Sequence, residues 1–357
     1  MTVCILGNGL TALTLAKALV NCEINVDVFF NKSNYKINDT RTIGIAKNNI
    51  DFFNKNIINT EKIIWKLKRI DIFSENLKED QLINFNAKDY YLFSILKNQK
   101  LYKLLEKELL NNKFFRSKFY NKKNFSLLHK YKLIINCDSS NFITRKYFSN
   151  KIIKKYHSNA HTTIIKHNQI LNDTAVQIFT KKGPLAFLPI SNTETSIVYS
   201  INDENKDENI EQLIRDNNFK YKITNIEKIN CFELKSLSLR SYYHNNILAF
   251  GDLLHKIHPL AGQGFNMTIR DIKILLKIIR EKLNVGLPLD SSVNYEFQKK
   301  IRHKNIVFSN GVDLIYELFN IERKTKNSFL SKSIKTISNY PFINKIFTKL
   351  ADRGTLY

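Results

Sequence analysis

With 357 residues, 43% of them hydrophobic and 12% aromatic, the chain has material for a sizeable core. That excludes wholesale disorder and suggests one large or two interlocked domains. Its 56 Lys and Arg against 32 Asp and Glu give a formal charge of +24; the lysines are spread out with no zinc-finger or RNP-like motif, so no nucleic-acid partner is expected, although such a charge favours anionic surfaces, membrane lipids included.

No apolar run approaches the ~18–20 uncharged residues of a spanning helix. The N-terminus enters a strand-like run at Val3 without a basic stretch, so no signal peptide is expected. Cys4, Cys22, Cys137 and Cys231 form no CxxC pair. Neither a disulfide framework nor a zinc site is therefore expected, and a reducing compartment is.

Only 10 residues are glycine, so their placement carries information. Residues 3–6 lead into Gly7-Asn8-Gly9-Leu10-Thr11-Ala12. Leu13, Leu15, Ala16, Leu19 and Val20 then recur at helical spacing, and a second strand is predicted over residues 24–30. Strand, Gly-x-Gly-x-x-Ala turn, helix and strand in this order mark a dinucleotide-binding loop. Gly7 allows the tight turn, Gly9 lets a pyrophosphate reach the backbone, and Ala12 keeps helix and strand close. The phosphates face the N–H groups at the helix start. The second strand, however, ends in Phe30 where an acid for the ribose hydroxyls is expected. Asp27 lies inside the strand on the wrong phase, and Asn31 is a weaker substitute.

Strands are predicted over residues 174–180 and 195–199, and residues 202–208 read as a polar connection. The second glycine stretch begins with a buried strand over 247–250, ending at Gly251-Asp252. A loop through His255, His258 and Pro259 follows, then Gly262-Gln263-Gly264-Phe265-Asn266 and a helix to about Lys282. An Asp after a strand can accept from ribitol or ribose hydroxyls, and a helix start beside glycines stabilises developing negative charge. His255 and His258 stand three apart with no third ligand at a suitable spacing, so no metal is expected; His255 is a candidate acid/base group. Tyr242-Tyr243 reads as sheet packing. Residues 331–350 carry Ile, Phe and Leu interleaved with Lys332, Lys335, Lys345 and Lys349, split by Pro341 into two short helices. This basic amphipathic pattern suits packing onto the protein or contact with an anionic membrane.

Residues 251–266 closely resemble the GD…HPxxGQGxN signature of group A FAD-dependent aromatic monooxygenases, the para-hydroxybenzoate hydroxylase-like class, and most of all its ubiquinone-biosynthesis hydroxylases. Asp39-Thr40-Arg41, Asn98-Gln99-Lys100-Leu101, residues 134–140 with Arg145, residues 179–189, and Asp313 with Leu318-Phe319 resemble further family segments in the same order. The resemblance covers nearly the whole chain. Phe30 for the acid, Ser139 for a glycine, and Leu253 and Leu254 for small residues depart from the pattern; each is expected to weaken flavin binding or narrow the site.

The resemblance implies an α/β fold: a Rossmann-like FAD-binding domain (1–70, 98–145 and 235–285), an inserted β-sheet substrate domain (71–97 and 150–234) and a C-terminal helical region (286–357). It implies FAD, with NAD(P)H and O2 as co-substrates, and oxygen transfer to the aromatic ring of a polyprenyl phenol or quinone precursor. Gly7, Gly9, Ala12, Arg41, Asp138, Asp252, Pro259, Gly264, Phe265 and Asn266 would hold the cofactor. Pro259, Gly262, Gln263 and His255 would serve the chemistry, with the N–H groups near 262–266 opposing charge on the reduced flavin. A cytoplasmic location with peripheral contact to the inner membrane follows from such a substrate. A flavin-poor, non-catalytic paralogue in a quinone-biosynthesis assembly is the first alternative, suggested by Phe30 and Ser139; a basic nucleic-acid-binding protein is the second.

Overall fold

The computed structural model describes residues 2–30, 40–75, 81–86, 90–119, 127–203, 208–258 and 263–325. The N-terminal strand Thr2–Leu6 buries Val3, Cys4, Ile5 and Leu6 almost completely, as a central parallel strand must. It lies between Asn25–Phe30 and Ile134–Asn136, parallel to both. Ile247–Ala249 and Phe115–Phe119 extend this sheet to either side, and Tyr243–His244 closes it antiparallel, giving six strands. The helices Leu10–Val20, Asn98–Leu110 and Gln263–Asn284 share the largest hydrophobic core with this sheet. Tyr242 is wholly buried there.

The second sheet has nine strands and is mostly antiparallel. The long strand Lys151–His167 pairs with Asn230–Leu239 on one side and Glu194–Asn202 on the other. Gly183–Pro189 and Thr174–Thr180 follow, then Arg69–Ser74 and Gln81–Asn86 at one edge; His255–Lys256 forms the other edge, and Ile223–Ile226 pairs beside the path. Thr42–Ala46, Phe93–Lys97 and Trp65–Leu67 form a third, three-stranded sheet that packs against the large one through Leu67, Ile95 and Ala175. It is tied to the large sheet by Thr42 Oγ1 and Ser196 Oγ at 2.8 Å and by Lys97 with Glu194 at 3.0 Å.

The helix Ser291–Thr325 follows. Its Val312 and Tyr316 form a smaller core with Tyr156, Ala160 and Leu234 of the large sheet and with Ile257 and Met267. No helix among the described residues is long and apolar enough to cross a membrane. The amphipathic segment expected at 331–350 lies outside the described residues.

Candidate functional site

The two glycine segments meet. Gly251 has φ +66°, and a Cβ there would sit 2.5 Å from Thr11 Cγ2 of the first helix. The close approach and the left-handed backbone both demand glycine. Gly7 has φ +107°; a Cβ on it would come within 3.3 Å of Asp138 Cβ and backbone N. Gly9 is the N-cap of the helix Leu10–Val20 and, lacking a side chain, makes no side-chain cap bond. The first turn of that helix thus offers uncommitted donors and the positive end of the helix dipole.

These residues open onto one cavity of about 1030 Å³, at the upper end of the ~300–1,000 Å³ usual for ligand sites. Gly7, Gly9, Ala12, Arg41, Asp138, Asp252, Gly264 and Phe265 all line it. Eight residues expected on the cofactor side thus line one cavity. Asp252 is exposed to the cavity, directly after the buried Gly251. Asp138 accepts from Ser140 N and Oγ at 2.8 and 2.7 Å, which fixes the loop after Ile134–Asn136. Gly264 has open space where a Cβ would stand. The Gly7 cradle, the uncapped helix start and the two hydroxyl-accepting carboxylates fit a flavin dinucleotide.

Other expectations change. Asn266, expected to touch the cofactor, is 1% exposed and lies off the cavity. Its Nδ2 donates to Gly44 O at 2.9 Å, and its Oδ1 accepts from Ala46 N at 2.9 Å and Asn49 Nδ2 at 2.8 Å. It pins the start of helix Gln263–Asn284 to the small sheet, so its role is to place Gly264 and Phe265. Leu253 and Leu254, expected to narrow the flavin loop, point into the main core and stay clear of the cavity. Pro259 and Gly262 lie outside the described residues, and Gln263 begins the helix. Phe30 and Ser139 do line the cavity.

The two histidines part company. His255 lines the cavity, and its Nε2 meets Asp271 Oδ2 at 2.5 Å; both side chains are buried. His258 is 1% exposed, between the rings of Tyr156 and Tyr316 at 4.8 and 4.4 Å between centroids. Burial, with Lys154 nearby, pushes its pKa down to about 3. Asp27 is likewise structural. It accepts from Lys118 Nζ at 2.8 Å and from the Tyr131 hydroxyl. Burial alone would raise its carboxyl, but those two bonds outweigh it and hold the pKa below the usual carboxylate range.

The far wall of the cavity was not foreseen. Ala186 and Leu188, Ser196 and Val198, and Phe232 and Leu234 reach it in pairs two residues apart, one face of the large sheet. Lys256 joins them, half-buried. Burial pushes its ammonium pKa down; Asp252 opposes this, while Arg41 and Lys235 add to it.

Residues 150–286 match the family model described as FAD binding domain. The chain is similar in sequence to the mitochondrial ubiquinone biosynthesis monooxygenase COQ6 of Danio rerio, 22% identical over 233 residues, 53% of this chain and 48% of the relative. It is also similar to the 3-demethoxyubiquinol 3-hydroxylase of Escherichia coli K12, 28% identical over 156 residues, 41% of this chain and 40% of the relative. The matched part thus spans less than half the length of each relative. In three dimensions the likeness is longer. The p-nitrophenol 4-monooxygenase PnpA of Pseudomonas putida DLL-E4 superposes with a TM-score of 0.77 at 11% identity, covering 99% of this chain and 98% of that one. HpxO of Klebsiella pneumoniae, solved with FAD and uric acid, gives 0.74 at 11%, covering 98% and 97%. The fold is that of the FAD-dependent aromatic monooxygenases. Within it, the sequence resemblance runs to the ubiquinone-biosynthesis hydroxylases.

Proposed function

We propose that the chain is an FAD-dependent monooxygenase that hydroxylates an aromatic ring of a polyprenylated ubiquinone precursor, with O2 and NAD(P)H as co-substrates. The observation that carries this reading is the meeting of Gly251 with Thr11, which puts both glycine segments on one cavity whose opposite wall is a sheet face. The relatives named for ubiquinone biosynthesis support the choice of substrate class.

Residues 1–70, 98–145 and 235–285 would bind the dinucleotide, and 71–97 with 150–234 would bind the ring. Gly7 and the N–H groups after Gly9 would hold the diphosphate. Arg41 would neutralise it, and Asp252 would accept from the ribityl hydroxyls. FAD held there would supply the redox chemistry, with NAD(P)H as the two-electron reductant and O2 as the source of one oxygen atom for the ring and one for water. The helix start at Gly264 and Phe265 would oppose negative charge developing on the ring system. Pro259, Gly262 and Gln263, just before it in sequence, would serve the chemistry. Val198, Phe232 and Leu234 would exclude water and orient the aromatic substrate. His255, whose Nε2 meets Asp271 and which lines the cavity, would serve as an acid/base group there.

The test is reconstitution of the purified full chain with FAD, followed by NAD(P)H oxidation under ¹⁸O2 with a short-chain polyprenyl phenol. Stimulated oxidation with label in the hydroxylated ring is the expected result. Flavin bound without ring labelling would favour a non-catalytic flavoprotein.

A further inference from the structure

The parallel pairing of Leu6 with Phe29, and the bond from Gly7 N to Phe29 O at 2.7 Å, put the end of strand Asn25–Phe30 against the glycine turn. A nucleoside attached to a diphosphate in that turn has this strand end beside its ribose, where a carboxylate ordinarily takes the 2′-hydroxyl. Here the position carries a phenyl ring. Phe30 is half-buried, lines the cavity, and is braced from behind by Phe119 at 4.6 Å between centroids. The strand's one acid, Asp27, is buried and spent on Lys118 and Tyr131. It can reach no ribose without breaking both bonds.

We propose that the adenosine end of the cofactor is held in this protein by contact with the Phe30 ring, and that its 2′-hydroxyl contributes little to affinity. The inference rests on the FAD reading above and specifies one end of that same site. Two physical points favour it. An aromatic face held in place by a second ring gives a purine or ribose a flat apolar surface at little entropic cost. A hydroxyl set against that ring gains no charge-assisted bond from it, so removing it loses little.

The experiment titrates the flavin-stripped full chain with FAD and with an FAD analogue lacking the adenosine 2′-hydroxyl, read by quenching of flavin fluorescence, which needs no turnover. The wild type should bind the two within about twofold, since no charge-assisted bond is at stake. Phe30→Tyr should keep that affinity. Phe30→Ala should weaken both ligands about tenfold, the usual worth of one stacked aromatic contact. Phe30→Glu should restore a preference for the hydroxyl, FAD over the analogue by about tenfold. A wild type that already prefers FAD by that factor, or a Phe30→Ala variant that binds like the wild type, overturns the inference while leaving the flavoprotein reading intact. A wild type that takes up neither ligand overturns both.

Discussion

Asn266 holds together parts of the chain that are 217–222 residues apart in sequence. Replacing it by Ala would leave the Ala46 N–H, the Gly44 carbonyl and the Asn49 amide without this partner in a site closed to water. Each buried orphan costs about 1–3 kcal/mol, and partial relaxation brings the total to roughly 3 kcal/mol. Asn266→Ala should therefore lower the denaturant midpoint and weaken flavin binding together, because the helix start that carries Gly264 and Phe265 loses its anchor; equilibrium unfolding and a flavin titration on the same variant check both. His258 makes a prediction in pH. Its folded pKa of about 3 lies below the 6.5 of the unfolded chain, so the unfolded state takes up the proton first on acidification. The contribution is intact above pH 6.5 and drains away as pH falls toward the folded value, at about 1.4 kcal/mol per unit. By pH 5 that is roughly 2 kcal/mol. A His258→Gln variant should lose correspondingly less stability than the wild type between pH 7 and pH 5, measured by denaturant unfolding at each pH.

At the level of elements, the helix Ser291–Thr325 separates stability from binding. Tyr316 is 6% exposed and packs against the rings of Tyr156 and His258, yet it lies away from the cavity. Tyr316→Ala should cost about 3 kcal/mol or more through the void it leaves while leaving the flavin dissociation constant within twofold; a large loss of flavin affinity would mean the helix governs the site. The same scale explains what could be read from the sequence. The first strand, glycine turn and helix were legible because scarce glycines fall between two clear periodicities, and Gly251 and Asp252 because they close a buried apolar run. The sheet wall was not. Ser196 with Val198, or Phe232 with Leu234, shows only the alternation of any half-buried strand, and which face meets a ligand is decided by the strands beside it. Asp27 was seen to be out of phase, but its partners Lys118 and Tyr131 lie 91 and 104 residues away. Asn266 was misread for the same reason: a polar residue inside a recognisable motif looks like a ligand contact until its distant backbone partners are known.

The whole molecule is two large sheets facing a shared space, with the small sheet packed against the larger of them. The described ties across the junction include three polar pairs, Thr42 with Ser196, Lys97 with Glu194, and Asn230 Nδ2 donating to Thr40 Oγ1 at 2.8 Å, and two small apolar clusters, Leu67 and Ile95 with Ala175, and Met267 with Ala160 and Leu234. The polar pairs contribute on the order of 1 kcal/mol each, and the two small clusters hold far fewer residues than the main core. A dinucleotide lying from Gly7 to Gly264 would touch the small sheet through Arg41 and the large sheet through its ring system. Flavin should then act as a fastener as well as a reagent. Free FAD at 100 times its dissociation constant should stabilise the folded chain by about 2.7 kcal/mol through mass action alone. The distinguishing prediction concerns cooperativity. Without flavin, these small contacts couple the two cores less tightly than each is held within itself, so calorimetry should show a broadened or split transition. Saturating FAD should merge it into one sharper transition at higher temperature. The double variant Lys97→Met with Glu194→Gln, which removes one tie away from the cavity lining, should widen the split in the apo protein and leave the flavin-bound transition nearly unchanged. Two transitions that persist at saturating FAD would mean that the ligand grips one sheet alone, and that the cavity does not bind it along its whole length.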